Sequence, residues 1–80
     1  MDPFIGLIKL LPYNFTPTGW LPCEGQILQI QQYAALFSLI GPKFGGNGTT
    51  TFALPDLRGF EPQPGARYFM ATMGLYPERS

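Results

Sequence analysis

One segment, residues 44–59, constrains the fold more than any other part of this 80-residue chain. It opens with a turn at residues 45–48 (GGNG) and continues with residues 49–54 (TTTFAL), whose β-branched and aromatic side chains favour a strand. Glycines in this arrangement are typical of a turn with positive φ angles. A phosphate-binding loop is the alternative, but it would need a following Lys-Ser/Thr and a helix. Pro55 then ends the strand.

The rest of the chain divides into short segments, because 10 glycines and 9 prolines interrupt it. A helix is predicted over residues 30–40, where apolar side chains recur at helical spacing before a Gly-Pro stop. Strands or extended pieces are predicted at residues 4–11, 20–23, 26–28 and 66–75. The first and last of these are apolar on both faces, which indicates strands that are buried or lie in an interface. The pattern predicts an α+β fold of short strands with one helix, in a single domain over residues 1–80.

The small size of the chain favours self-association. A domain of this length buries only about 60–65% of the surface that its unfolded form exposes, so disulfides, a metal or further copies usually stabilise it. Cys23 is the single cysteine and there is no histidine, so an internal disulfide is excluded and a zinc site would have one good ligand. Charged residues make up only 12% of the chain and the formal net charge is zero, which predicts an exposed apolar patch.

Composition also restricts the partners. The five basic residues are scattered along the chain, which argues against nucleic-acid binding. No apolar run reaches the roughly 18–20 residues that a membrane span needs. Asp2 stands where a signal peptide would carry positive charge, so no cleavable leader is predicted.

The sequence offers no nucleophile–base pair, because histidine is absent. Glu24, Asp56 and Glu61 could formally serve as paired carboxylates, but the first two occupy positions where acids commonly cap turns. Cys23 has no neighbouring base and is interpreted as a small buried hydrophobe. We therefore expect no enzyme activity and no cofactor. Asp56 and Arg58 would share a face of an extended chain. They are interpreted either as an inter-subunit ion pair or surface contact, or as partners of loop backbone groups within one subunit.

Three motifs follow one another in a fixed order. Residues 14–26 read NFTPTGWLPCEGQ, residues 30–41 read IQQYAALFSLIG, and residues 44–59 read FGGNGTTTFALPDLRG. Preceded by the apolar strand that begins near residue 4, this order and spacing resembles the phage tail-collar domain, which also occurs in bacterial microcystin-dependent proteins. The resemblance covers about residues 4–59.

The C-terminal part departs from this pattern. Longer relatives of the family carry a further stretch after the third motif, ending in an apolar strand and a short tail. Here residues 66–80 look like that ending joined almost directly to the collar motif. The chain therefore resembles a minimal version of the family that keeps both ends.

The resemblance implies a structural subunit that assembles into a homotrimer or fibre. A head-to-tail contact that does not close would instead give a filament, and in either case we expect a virion or cell-surface appendage outside the cell. The two apolar terminal strands are the predicted contact between copies. The interface residues predicted from them are Phe4, Ile5, Leu7, Ile8, Leu10, Tyr68, Phe69, Met70, Met73 and Leu75. Whether the two strands pair within one chain or between chains stays open at this point.

The alternative hypothesis is an adhesin or tail-fibre tip that binds a receptor or a cell-surface glycan. Tyr13 and Trp20 are the candidate contacts, as part of an aromatic platform for sugar. Aromatic side chains in so small a domain are more often part of the core.

Overall fold

A computed structural model describes residues 3–12, 14 and 16–77. In chain order its elements are β1 (Ile8–Pro12), β2 (Trp20–Pro22), β3 (Ile27–Gln29), α1 (Ala34–Ile40), β4 (Thr51–Ala53) and β5 (Ala66–Ala71). The five strands form two antiparallel sheets, and α1 is the one α-helix in the described part of the chain. The predicted α+β fold of short strands with one helix is confirmed.

The larger sheet has the order β1-β5-β2, so the last strand lies between the first two. Both pairings are antiparallel, and Met70 is opposite Ile8 on one side and Leu21 on the other. The hydrogen bonds between β2 and β5 continue one residue beyond each end of β2. The Cys23 amide donates to Tyr68 O at 2.9 Å, and the Thr72 amide donates to Gly19 O at 2.7 Å. The terminal strands therefore pair within one chain.

The smaller sheet joins β3 to β4, with Leu28 opposite Phe52. The pairing extends one residue beyond each end of β3. The Ile30 amide donates to Thr50 O at 3.0 Å, and the Leu54 amide donates to Gln26 O at 3.1 Å. This sheet carries the predicted strand of the glycine-rich segment, although the regular part is shorter than residues 49–54.

The helix begins later than residue 30. The Ile30 amide belongs to the ladder with Thr50, and the next residues form turns in which the Tyr33 amide donates to Gln29 O and Ile30 O. Tyr33 precedes the helix with φ −130° and makes no side-chain capping hydrogen bond. The helix ends at Gly41, as the sequence indicates, where the glycine amide donates to Phe37 O at 2.7 Å.

The core lies between the larger sheet, α1 and the β3–β4 pair. Its cluster of buried residues consists of Ile5, Cys23, Leu28, Leu36, Phe52, Leu54 and Met70. Phe37 of α1 packs on Phe52 with ring centroids 5.3 Å apart in an edge-to-face arrangement. Helix and sheets are therefore joined through a single apolar contact region.

Candidate functional site

The two ends of the described chain lie side by side. Phe4 and Leu75 form a parallel bridge, in which the Ile5 amide donates to Leu75 O and the Leu75 amide donates to Pro3 O, both at 2.8 Å. Gly74 has φ +137°, and a side chain there would collide with the Pro3 carbonyl. Only glycine permits this approach, so the sequence is built to hold its terminal segments together.

Five of the ten residues predicted for an interface are exposed in the chain. They are Phe4, Leu7, Ile8, Met73 and Leu75, with exposures of 53%, 40%, 40%, 63% and 48%. Leu10 and Tyr68 are half-buried, whereas Ile5, Phe69 and Met70 are buried within the chain. We call the exposed residues Phe4, Leu7, Ile8 and Leu75 the terminal apolar patch.

An apolar groove of about 330 Å³ adjoins this patch at one residue, Ile8. Its lining includes Ile8, the end of α1 at Leu39 and Ile40, the exposed ring of Phe44, and Leu57. Ile8 therefore belongs both to the patch and to the groove. Single exposed apolar side chains are ordinary on protein surfaces, but a continuous apolar area is typical of a contact surface.

The loop beside the groove is organised by one side chain, Asn47. Its Oδ1 accepts hydrogen bonds from the amides of Thr49, Thr50 and Thr51 at 2.8, 2.8 and 3.0 Å. Its Nδ2 donates to Thr50 Oγ1, and its own amide donates to Thr51 Oγ1, both at 3.0 Å. The sequence prediction included Asn47 in the turn at residues 45–48 but gave it no role in organising the loop. An Asn followed by Gly and a run of Thr is the signal that could have indicated it.

Gly46 in the same loop lies directly against β4. It has φ +85°, and a Cβ there would come within 2.7 Å of the Phe52 amide nitrogen. The positive φ predicted for this glycine-rich turn is therefore present, and its cause is the close approach of two backbone segments. Phe44, which directly precedes this loop, lines the groove.

Residues 6–62 match the family model of the phage tail collar domain, which covers more than half of the chain. The chain belongs to this family. No curated protein and no solved structure shows a significant match to it. Membership of the tail collar family suggests a structural role in a phage tail.

The collar match stops before β5. The matched segment contains both outer strands of the larger sheet, β1 and β2, which are bonded to β5 and not to each other. The C-terminal segment also contacts the helix, because Tyr76 Oη and Ser38 Oγ lie 2.7 Å apart. The collar segment of this chain is therefore completed by residues that lie outside the family model.

Asp56 and Arg58 of the collar motif pair with each other within the chain. Arg58 donates from Nε to Asp56 Oδ1 at 2.9 Å and from Nη2 to Oδ2 at 2.8 Å, and its amide also donates to Oδ1 at 3.2 Å. These hydrogen bonds lower the pKa of Asp56 to about 2. Asp56 thus accepts from one loop amide within its own subunit, as one of the interpretations expected, and its main partner is the Arg58 side chain.

A second ion pair closes the sheet next to β2. Arg67 Nη1 lies 2.8 Å from Glu24 Oε2, and its guanidinium is 5.0 Å from the centre of the Phe69 ring. Both charged side chains are partly shielded from water, which favours the pair over an exposed one. Glu24 is therefore engaged in holding β5 against the turn after β2.

Cys23 is buried, with 2% exposed, and burial together with the nearby Glu24 carboxylate raises the pKa of its thiol to about 11. The thiol is therefore protonated at neutral pH and a poor nucleophile. Among the described residues, no three Cys, Asp or Glu side chains are grouped as a metal site. The same part of the collar chain contains no helix with the length and hydrophobicity to span a bilayer.

Trp20 is half-buried and lies between two shallow grooves of about 370 and 510 Å³. Both grooves are lined by Gly19, Trp20 and Met73, and the larger also by Gln32 and Tyr33. Tyr13, the other candidate for sugar contact, lies outside the described residues. Trp20 is therefore an aromatic side chain with the neutral polar neighbours Gln32, Tyr33 and Thr72.

Proposed function

We propose that this collar-family chain is a non-enzymatic structural subunit that associates with copies of itself into a trimeric fibre or an open filament. The family suggests a virion-associated appendage, and an appendage on a cell surface is the other location that we propose for it outside the cell. The terminal apolar patch and the adjoining groove are the contact surface. The single observation that carries this proposal is the exposure of four apolar side chains in the paired terminal segments, each of them 40–53% exposed.

The exposed area of the whole chain supports association. A monomer of this mass is expected to expose about 4,800 Å² of accessible surface. This chain exposes 5415 Å². The chain thus covers less of its own surface than a self-sufficient domain does, and packing against copies would compensate.

The edges of the larger sheet favour contacts through side chains over simple edge-to-edge pairing. At β2, Pro22 has no amide hydrogen, and its carbonyl accepts from Gln26 Nε2 at 2.7 Å. At β1, the exposed Lys9 and the terminal Pro12 are residues that disfavour pairing with another strand. Copies therefore meet through the patch and groove.

Exchange of β5 between copies is a second way to build a filament. A neighbour's β5 placed between β1 and β2 would keep every ladder bond and link two chains. The connection before β5, residues 56–65, is mostly exposed and contains two glycines and two prolines. If each chain donated its β5 to the next chain and the series did not close into a ring, this exchange would give a filament.

Light scattering coupled to size exclusion, with negative-stain electron microscopy, tests the proposal. We expect fibres or a discrete oligomer for the native sequence. Ile8→Asp and Phe44→Asp should each weaken association about tenfold or more, because a carboxylate would be buried at the contact. Phe60→Asp is the matched control, since Phe60 is 71% exposed and lies outside patch and groove. A native protein that stays monomeric at every concentration would refute the proposal.

The grooves beside Trp20 support a second candidate function, recognition of a glycan or receptor. An indole with amide, phenol and hydroxyl neighbours suits a neutral sugar. Trp20 is the only tryptophan, so its fluorescence reports on this site alone. Titration with neutral oligosaccharides such as maltohexaose and chitohexaose should give a saturable change, lost in Gln32→Ala without loss of the fold. A flat response to the whole panel would reject these sugars as ligands.

A further inference from the structure

Asn47 is followed by Gly48, the sequence at which an asparagine side chain is most open to attack by the backbone. The chain has two asparagines, and the other, Asn14, is followed by a bulky phenylalanine. Glycine has no Cβ and so lets its amide nitrogen approach the preceding side chain most freely. Asn47 is also exposed, so water reaches the site.

The reaction is an intramolecular displacement. The Gly48 nitrogen loses its proton and bonds to Asn47 Cγ, the Cγ–Nδ2 bond breaks, and ammonia leaves. The resulting succinimide is then hydrolysed by water at either carbonyl, which gives aspartate or isoaspartate. No oxidant, reductant or further reactant is required.

The native loop holds both reacting groups away from this path. The Gly48 amide donates to Thr51 O at 2.9 Å, so its proton is already engaged. Asn47 Oδ1 is fixed by three amides and Nδ2 by Thr50 Oγ1. Ring closure would draw Cγ onto the Gly48 nitrogen and break these bonds together.

The same three amides have an opposing effect, because donors aimed at Oδ1 would stabilise negative charge on that oxygen during attack. This stabilisation of the charge on Oδ1 would speed the reaction only if the Gly48 nitrogen could reach Asn47 Cγ while the loop stays closed. Since the Gly48 hydrogen bond to Thr51 O directs the amide across the loop, the barrier is set by opening.

We propose that Asn47 is a site of spontaneous deamidation, and that opening of the loop at residues 45–51 controls its rate. The loop keeps the side chain intact in the folded subunit and exposes it to reaction in an open or unfolded one. The two products have opposite consequences. An aspartate would still accept from the three amides as a stronger, charged acceptor, whereas isoaspartate lengthens the backbone and cannot keep the loop.

The test compares native protein with protein unfolded in guanidinium chloride, both incubated at mildly alkaline pH. Trypsin cleaves after Lys43 and Arg58, so one peptide, residues 44–58, carries the site. Mass spectrometry measures the amide-to-acid conversion, and isoaspartyl methyltransferase labelling measures isoaspartate. We expect conversion to be at least about tenfold slower in the native state, because reaction has to await local opening. Asn14 is the internal reference.

Two isosteric variants separate gating by the loop from general protection by the fold. Thr51→Val removes the hydroxyl that accepts from the Asn47 amide and leaves both reacting residues unchanged. It should accelerate conversion several-fold in the native state and not in the unfolded state. Thr49→Val is the control, since only its backbone amide bonds to Asn47. Equal native and unfolded rates, an unchanged rate in Thr51→Val, or no conversion in the unfolded chain would each overturn the proposal.

Discussion

At the scale of single residues, polar side chains in this chain shape loops more than they bind partners. Asn47 accepts hydrogen bonds from three backbone amides at the point where the glycine-rich turn enters β4. Asp56 and Glu24 each hold an arginine close to a turn. The interactions of Asn47 and Asp56 are exposed, whereas the pair of Glu24 with Arg67 is partly shielded from water.

Two substitutions of Asn47 should show how much its side-chain oxygen stabilises the fold by accepting hydrogen bonds from the three backbone amides. Asn47→Ala leaves three amides without their partner and should lower the free energy of unfolding by about 1–2 kcal/mol, a moderate loss because water can replace part of it. Asn47→Asp keeps the acceptor and should be close to native at neutral pH. Denaturant unfolding measures both. Equal losses in the two variants would contradict the assigned role.

The Asp56–Arg58 pair should make a small, acid-sensitive contribution to stability. The folded pKa of Asp56 is about 2, below its ordinary value of 3.8. Because the folded value is the lower one, the stabilisation is complete above pH 3.8 and is lost as pH falls through about 2. Arg58→Gln should return the pKa towards 3.8, measured by carbon NMR of the carboxyl group.

Salt provides the control for this pair. Both side chains are well exposed, so added salt should reduce the shift in the native protein and change little in Arg58→Gln. A pKa of Asp56 that is the same in the two proteins would show that Arg58 is not the cause.

At the scale of elements, local patterns predicted the type of each segment better than its limits. The turn at residues 45–48, the strand after it and the stop at Gly41 depend on neighbouring residues and were predictable. The start of α1 was not, because a bond to Thr50, distant in sequence, keeps Ile30 in the strand ladder. Likewise the strand predicted over residues 66–75 ends at Ala71, where the chain turns to meet Pro3.

Strand order was beyond the reach of sequence periodicity. Pairing of β5 with both β1 and β2 joins segments from opposite ends of the chain, and no local signal encodes which neighbour a strand takes. The predicted interface shows the same limit. An apolar pattern identified its ten residues, but only the fold distinguishes the exposed Ile8 from the buried Met70 to which it pairs.

The central position of β5 makes a direct prediction. A chain ending at residue 62 should fail to fold, because β1 and β2 would lose their shared partner. A synthetic peptide of residues 63–80 added in excess should restore the structure, detected by circular dichroism. The same peptide with Met70→Asp should bind at least about a hundredfold more weakly, since it would bury an unpaired carboxylate.

This complementation also bears on filament formation by exchange of β5. If the separate peptide enters the sheet, the corresponding strand of a neighbouring chain has a competent acceptor. A 1–62 chain that folds by itself would show that β5 is dispensable, and exchange of this strand could not hold copies together.

At the scale of the whole molecule, a chain that leaves so much apolar surface exposed should depend on its copies for stability. An association that binds the folded state and not the unfolded one raises stability with protein concentration. For a domain of this size the midpoint of thermal unfolding should therefore rise by roughly 4–8 °C for each tenfold increase in concentration, which corresponds to about 1 kcal/mol per subunit.

Ile8→Asp and Phe60→Asp again form the informative pair for this measurement. Ile8→Asp should unfold at a midpoint that varies less with concentration than that of the native protein, because its association is weakened while its own core is kept. Phe60→Asp should follow the native dependence. A native protein whose midpoint is constant over a hundredfold range would be stable alone, and its exposed apolar surface would then need a different partner.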